Sequence, residues 1–341
     1  MDPRFGARGF VPSVWKASMP ERDDERDVFL ASAGWGSAAI EPLAGDASLR
    51  RYFRLRRGAE TAILMDAPPE TNTTNESFVS VARHLARRGL SSPGVRAFDF
   101  ETGFVLLEDL GDDLFSAVLD RAPQSGKLLY GRAVDVLIEL ARQPGPAELP
   151  KYDTAQMVDL AALPYEWYAP GPSDGFRTAM RNVLEPLTAT RQTIALRDYH
   201  VDNLIWMPER EGVRSVGLLD FQDAALCHPA YDLMSLLRDV RREVPKDIVE
   251  QEKARFCTIL GLEPRAFDDA CRVLSIQRNM RILGVFARLS KRDGKTRYVD
   301  YLPRVWTLLT EDLGHPDVED LNTIISDTLP APNATLMNAL R

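Results

Sequence analysis

The sequence predicts an α+β chain with a bilobal architecture: an N-terminal five-stranded antiparallel sheet with one inserted helix, then a larger, mostly helical C-terminal lobe. Three observations carry this. Short β-rich runs separated by glycine turns fill the first hundred or so residues, apolar residues recur at helical spacing from about residue 112, and the acidic stretch 108-EDLGDDL-114 marks the change of texture. At 341 residues, 45% of them hydrophobic, the chain is long enough for two lobes, divided here as 1–109 and 110–341.

Residues 22–34 (RDDERDVFLASAG) read as a short helix whose acidic first turn suits the helix dipole and whose glycine ends it. Strand signals follow at 38–44 (AAIEPLA), 50–56 (RRYFRLR) and 61–67 (TAILMDA), divided by Gly45-Asp46 and by Gly58 at the spacing of an antiparallel meander. Phe78, Val81, Ala82 and Leu85 form a buried stripe on a helix over 74–89, and two more strands fit 94–100 and 103–109. Beyond the hinge, helices are expected over 112–121, 124–142 and 174–189, the second closed by Pro144, Pro146 and Pro150. A strand at 193–196 and a pair at 203–207 and 214–220 come next. From 229 the chain reads as nearly all helix, over 230–242, 245–260, 264–291 and 301–313. A ligand is expected in the cleft between the lobes.

Composition removes several classes of function. A net charge of -8 argues against a nucleic-acid partner, which needs a clustered positive field. The two arginine clusters, Arg50, Arg51, Arg54, Arg56 and Arg57, then Arg272, Arg278, Arg281, Arg288, Lys291 and Arg292, read first as solvated faces. Cys227, Cys257 and Cys271 are odd in number and far apart, so they read as buried thiols of a cytoplasmic protein. With no uninterrupted apolar run of 18 residues and no signal-like N-terminus, neither a membrane span nor secretion is expected. A small-molecule ligand and a monomer are the expectation.

The chemistry concentrates in 196-LRDYHVDNLIW-206. Asp198 and Asn203 stand five apart in a loop between two short strands, and Asp220 ends the next strand, so oxygen ligands from adjacent loops can converge. Such ligands suit Mg²⁺, which takes only one or two protein carboxylates and completes its shell with water and phosphate, so a nucleotide-bound metal is the natural occupant.

The Asp-x-x-x-x-Asn spacing of 198-DYHVDN-203, followed by 219-LDFQDA-224, resembles the catalytic and metal-binding loops of the protein-kinase-like fold. RDYHVDN and 228-HPAYDL-233 are similar to the matching motifs of the aminoglycoside phosphotransferase and choline kinase superfamily. GDASLRRYFRL, ILMDAPP, LPYEWY and LLDFQDA further resemble the bacterial N-acetylmuramate/N-acetylglucosamine anomeric kinases of peptidoglycan recycling, a likeness that spans roughly residues 25 to 310. It implies transfer of phosphate from ATP, with Mg²⁺, to a sugar hydroxyl. Asp198 would be the general base or the carboxylate that orients the acceptor hydroxyl, while Asn203 and Asp220 would hold Mg²⁺ between phosphates. His200 would brace the loop or contact the acceptor, and Asp232 would tie the loop down.

The phosphate clamp departs from the protein-kinase pattern. The expected turn offers Gly45 and Ser48, and no lysine occurs between Lys16 and Lys127. Arg51, which shares a strand face with Leu49 and Phe53, is the available substitute, and Glu76 is placed either to orient it or to complement its own helix dipole. Leu107, Glu108, Asp109 and Leu110 would meet adenine through their main chain, with Leu110 or Ile63 packing on the purine. For the acceptor, Glu166, Trp167 and Asp223 suit a sugar, whose C–H face stacks on rings while its hydroxyls bond to acids. Arg278, Arg281 or Arg288 would meet an acceptor carboxylate. Two alternatives stay open: a kinase of choline, homoserine or an aminoglycoside, and a catalytically inactive nucleotide-binding module.

Overall fold

The computed structural model describes residues 19–43, 50–70 and 74–341, and of residues 19–21 only the helical backbone. The chain divides into two compact units, one running to His84 and resuming over Pro93–Leu110, the other made of Leu85–Ser92 and Gly111–Arg341.

In the first unit, α1 (Met19–Ser32) precedes β1 (Ala39–Leu43), β2 (Arg51–Arg57) and β3 (Glu60–Asp66); α2 (Asn75–Arg87) then leads to β4 (Val95–Asp99) and β5 (Phe104–Leu107). The sheet is antiparallel throughout, in the order β1-β2-β3-β5-β4. The meander expected from turn spacing therefore holds for three strands, after which β5 takes the inner place and β4 the edge. Burial explains the choice: all four residues of β5 are buried, whereas β4 alternates between exposed and partly buried positions. Period-2 alternation puts Leu55, Ala62, Leu64, Phe104 and Leu106 on one face, where Phe29, Leu30 and Trp35 cover them. Phe29 stacks on Phe104 with centroids 5.6 Å apart. Each of these leucines and phenylalanines contributes about 1.5–3 kcal/mol on burial. The turn into β5 needs Gly103, since a Cβ there would lie 2.2 Å from the Ala67 carbonyl oxygen.

The second unit is largely helical. Its helices are α3 (Phe115–Arg121), α4 (Gly126–Ala141), α5 (Thr154–Ala161), α6 (Pro164–Trp167), α7 (Asp174–Thr188), α8 (Ala230–Leu237), α9 (Lys246–Leu260), α10 (Pro264–Asp293), α11 (Leu302–Leu313), α12 (Glu319–Thr328) and α13 (Ala334–Leu340). The 30-residue α10 is the spine, packed against α5, α6, α7, α8 and α11. Local chemistry sets its ends: Glu263 accepts from the Arg265 and Ala266 N–H groups, Pro264 occupies the first turn, and Gly294 closes the helix at φ 66°. Two expectations need correction. The helix expected over 230–242 stops at Leu237, where Arg238 leaves the helical region and the Asp239 side chain accepts from Arg241 N–H. The chain also forms α5, α6, α12 and α13, whose apolar patterns are too short to stand out. Cys227, Cys257 and Cys271 are free and buried, as expected. Among the described residues no helix is long and apolar enough to cross a membrane.

Between α7 and α8 lie four short strands, β6 (Thr193–Ala195), β7 (Leu204–Trp206), β8 (Val216–Leu218) and β9 (Ala225–Cys227). The β7–β8 hairpin is nested inside the β6–β9 pair. That nesting builds the site.

Candidate active site

Ala195 pairs with Ala225, and Leu204 pairs with Leu218, so the loops 196–203 and 219–224 are pinned together at both ends and run side by side. A further bond from Leu219 N–H to the Asn203 carbonyl, at 3.0 Å, continues the inner ladder. Asp198 and Asn203 on one loop and Asp220 on the other thus come to one end of the strands by ladder geometry. The Asn203 amide also donates 2.9 Å to the Asp198 carbonyl, which fixes the spacing within the first loop.

Asp232 in the first turn of α8 holds this loop from below. Its two carboxylate oxygens accept from the N–H groups of Leu196 (2.5 Å) and Arg197 (3.0 Å). Burial pushes its carboxyl up to about 7, while the two N–H donors favour the ionised form. Among the described residues, Arg197 (φ 73°) and Asp220 (φ 56°) are the non-glycine residues in the left-handed region. Such a conformation is held only where its surroundings over-determine it, and it clusters at functional sites. Here it turns the chain sharply beside Asp198 and at the end of β8.

Asp198 sits in a positive environment. Its side chain keeps 37% of its surface exposed, and the Arg281 guanidinium lies 3.8 Å away. Burial alone would raise its pKa; Arg281, with His200, Arg278 and Arg197, holds it below the usual carboxylate value. The group is therefore ionised at neutral pH. His200 is buried and pushed down to about 4, chiefly by burial and then by Arg241, so its ring is neutral. Its Nε2 lies 3.4 Å from the Asn203 amide nitrogen, which suits a brace that accepts at Nε2 and carries its proton on Nδ1. That contact, with Nδ2 also given to the Asp198 carbonyl, leaves the amide oxygen of Asn203 for a cation. Asp220 accepts from the Gln222 amide at 2.9 Å. Among the described residues no group of three or more His, Cys, Asp or Glu is arranged to hold a metal alone. One carboxylate and one amide oxygen instead fit Mg²⁺ that arrives with phosphate and water.

The acceptor candidates separate. Arg281 is brought to Asp198, and its other nitrogen donates to the Tyr231 hydroxyl at 3.1 Å. Asp223 is exposed, and its carbonyl lies 3.5 Å from an Arg197 guanidinium nitrogen. Glu166 is exposed and Trp167 half-buried on α6, whose buried residues are Pro164 and Tyr165; Tyr168, just past its end, donates to the Pro330 carbonyl at 2.8 Å. No hydrogen bond or ion pair joins Glu166 or Trp167 to Asp198 among the described residues. Arg288 lies two turns beyond Arg281 along α10.

In the first unit, Ser48 lies outside the described residues. Arg51 stands on the face that α1 covers, where it donates to Asp66 at 3.0 Å, and Arg22 of α1 holds the other Asp66 oxygen at 3.0 Å. Asp66 is buried, so it and not the exposed Glu76 orients Arg51. Arg54 points to the opposite face, in register with Ile63 and, across β3, Leu107. It forms a buried ion pair with Asp109 at 2.8 Å. Glu108 gives its N–H to the Gly94 carbonyl and accepts from Gly94 N–H through its side chain. Leu110 is buried. The hinge side chains thus have structural work of their own, which the sequence did not disclose; each partner is far away along the chain.

A model of the phosphotransferase enzyme family matches residues 39–267. The N-acetylmuramate/N-acetylglucosamine kinase of Caulobacter vibrioides is 34% identical over 91% of this chain and 97% of its own. The protein of the same name from Pseudomonas putida is 30% identical over 91% and 98%. Among solved structures, a choline/ethanolamine kinase family protein from Mesorhizobium loti is similar in fold, with a TM-score of 0.62 at 17% identity over 89% of this chain and 99% of its own. Nested loops that bring Asp198, Asn203 and Asp220 to one place, on a chain whose matched region runs through both units, have one conclusion: this protein belongs to the phosphotransferase enzyme family and is a phosphotransferase.

Proposed function

We propose that this protein is an ATP- and Mg²⁺-dependent kinase that phosphorylates the anomeric hydroxyl of N-acetylmuramate or N-acetylglucosamine. The observation that carries it is the clamped loop: an ionised Asp198, fixed through Asp232 and flanked by Arg281, beside the oxygen pair of Asn203 and Asp220. The names borne by the relatives supply the sugar. Asp198 orients the acceptor hydroxyl and takes its proton; its depressed basicity suits a loose transition state, in which the proton leaves late. Asn203 and Asp220 would hold Mg²⁺, which supplies charge neutralisation at the phosphates when bound. Adenine would meet the main chain near Asp109 and Leu110, beyond the Glu108 N–H already given to Gly94. Because α1 covers the face that carries Arg51, the nucleotide-side cation is assigned to Arg54, on the face of Leu107. Dependence on ATP would place the enzyme in the cytoplasm.

The test is acceptor-dependent ADP release, measured with both amino sugars, choline, homoserine and an aminoglycoside. Turnover is expected with the amino sugars. Asp198→Asn should leave ATP binding within about threefold and cut kcat by about 10²–10⁴-fold, the usual contribution of a positioned acid or base. Turnover with choline or the aminoglycoside alone would overturn the acceptor, and an active Asp198→Asn would overturn the role of the carboxylate.

A further inference from the structure

One arginine near Asp198 lacks the partners of its neighbours. On α10, Arg278 lies one turn before Arg281, on the same side of the helix. Arg281 has the Tyr231 hydroxyl and the Asp198 carboxylate, while Arg241 lies 3.8 Å from Asp239 and 3.9 Å from Asp202. Arg278 is 5% exposed, yet it makes no hydrogen bond or ion pair among the described residues, and its Nη1 is buried without a hydrogen-bond partner. Asp239 and Asp198 act on it through space, but neither forms an ion pair with it, and a buried guanidinium nitrogen left without a hydrogen-bond partner is costly. Its natural partner is an anion that arrives with the substrate.

We propose that Arg278 is the receptor for a carboxylate on the acceptor sugar, and so the residue that sets preference for an acidic amino sugar over its neutral counterpart. N-acetylmuramate carries such a group, on an ether at C3, and N-acetylglucosamine does not. C3 and C1 are separated by one ring carbon, and the ether arm carries the carboxylate a few bonds beyond C3. The side-chain separation of residues three apart on a helix is about 5–6 Å, a similar span, so a ring whose C1 hydroxyl faces Asp198 beside Arg281 can turn its acid toward Arg278. Burial is the main cause that lowers the pKa of Arg278; Tyr231 and Asp239 oppose it, while Arg241 and Arg281 add to it. This subsite rests on the chain being an amino-sugar kinase.

The experiment uses the full chain with ATP and Mg²⁺ and three acceptors: N-acetylmuramate, its methyl ester, which keeps the bulk and loses the charge, and N-acetylglucosamine. The wild type should prefer the acid to the ester by about thirtyfold in kcat/KM, the worth of one charged hydrogen-bonded contact. In Arg278→Met that ratio should fall to near one, and in Arg278→Lys, which keeps charge without the fork, it should be intermediate. The ligand-free Met variant should melt at or above the wild-type temperature, because a buried guanidinium without hydrogen bonds has gone. An acid-to-ester ratio that survives in Arg278→Met overturns the assignment, as does an equal loss on all three acceptors, which would mean that Arg278 serves the transferred phosphoryl group. If the wild type phosphorylates none of the three, the acceptor reading itself falls, a result distinct from either.

Discussion

Asp232 shows how one side chain can matter without touching a reactant. It satisfies two N–H groups at the bend that presents Asp198, and each such group left unpaired in the interior costs about 1–3 kcal/mol. Asp232→Ala should therefore lower stability by about 2–5 kcal/mol in urea unfolding and reduce kcat more than it raises KM, since Asp198 loses its aim before the acceptor loses its pocket. A variant with wild-type kcat would mean that the loop holds its shape unaided. At this scale the sequence was most legible where covalent spacing does the work: the separations that single out Asp198, Asn203 and Asp220 lie on two loops that strand pairing holds side by side. It was silent where partners are distant. The Arg54–Asp109 pair, the hold of Asp66 on Arg51 and the isolation of Arg278 all depend on residues brought together by the fold, and no local pattern announces them.

At the scale of elements, strands and long helices announced themselves through periodicity, and short ones did not. The four residues of α6 make a single turn, too brief for a stripe, and its place is set instead by a close approach to α10 at Gly284. A Cβ at that glycine would stand 2.4 Å from Leu163 Cβ and 2.7 Å from Pro164 N, and backbone cannot step aside as a flexible side chain can. Alanine is the better helix former by about 1 kcal/mol, but the overlap outweighs it. Gly284→Ala should lower stability by about 1–3 kcal/mol, read from the urea midpoint. A more stable variant would show that α6 can back away at no cost. Strand order was likewise beyond the sequence, because the strand signals mark where β4 and β5 lie without saying which of them pairs with β3.

Across the whole molecule, acid should act through a partly buried imidazole. His228 is pushed down to about 4 by burial, and its Nδ1 accepts from Ala230 N–H at the start of α8. A histidine with a depressed folded pKa is protonated more readily in the unfolded chain, so its contribution is complete above about 6.5 and is lost as pH falls toward 4. His228→Asn keeps an acceptor near the same place and does not titrate. The wild type should accordingly lose more stability than this variant between pH 7 and 4.5, measured as the difference in urea midpoints. Asp232, raised to about 7, works in the opposite sense, but it is common to both proteins and cancels. Parallel curves for the two proteins would remove His228 from the account.

The nesting of β7–β8 inside β6–β9 has a consequence for how the protein comes into being. The inner hairpin joins residues close along the chain and can form early, whereas the outer pair must close the whole span from Thr193 to Cys227. Until those two short strands meet, the loops that carry Asp198 and Asp220 are tethered at one end only. A newly made chain can thus gain much of its helix, and even the hairpin at the heart of the site, while still lacking catalytic power; competence waits on the outer pair.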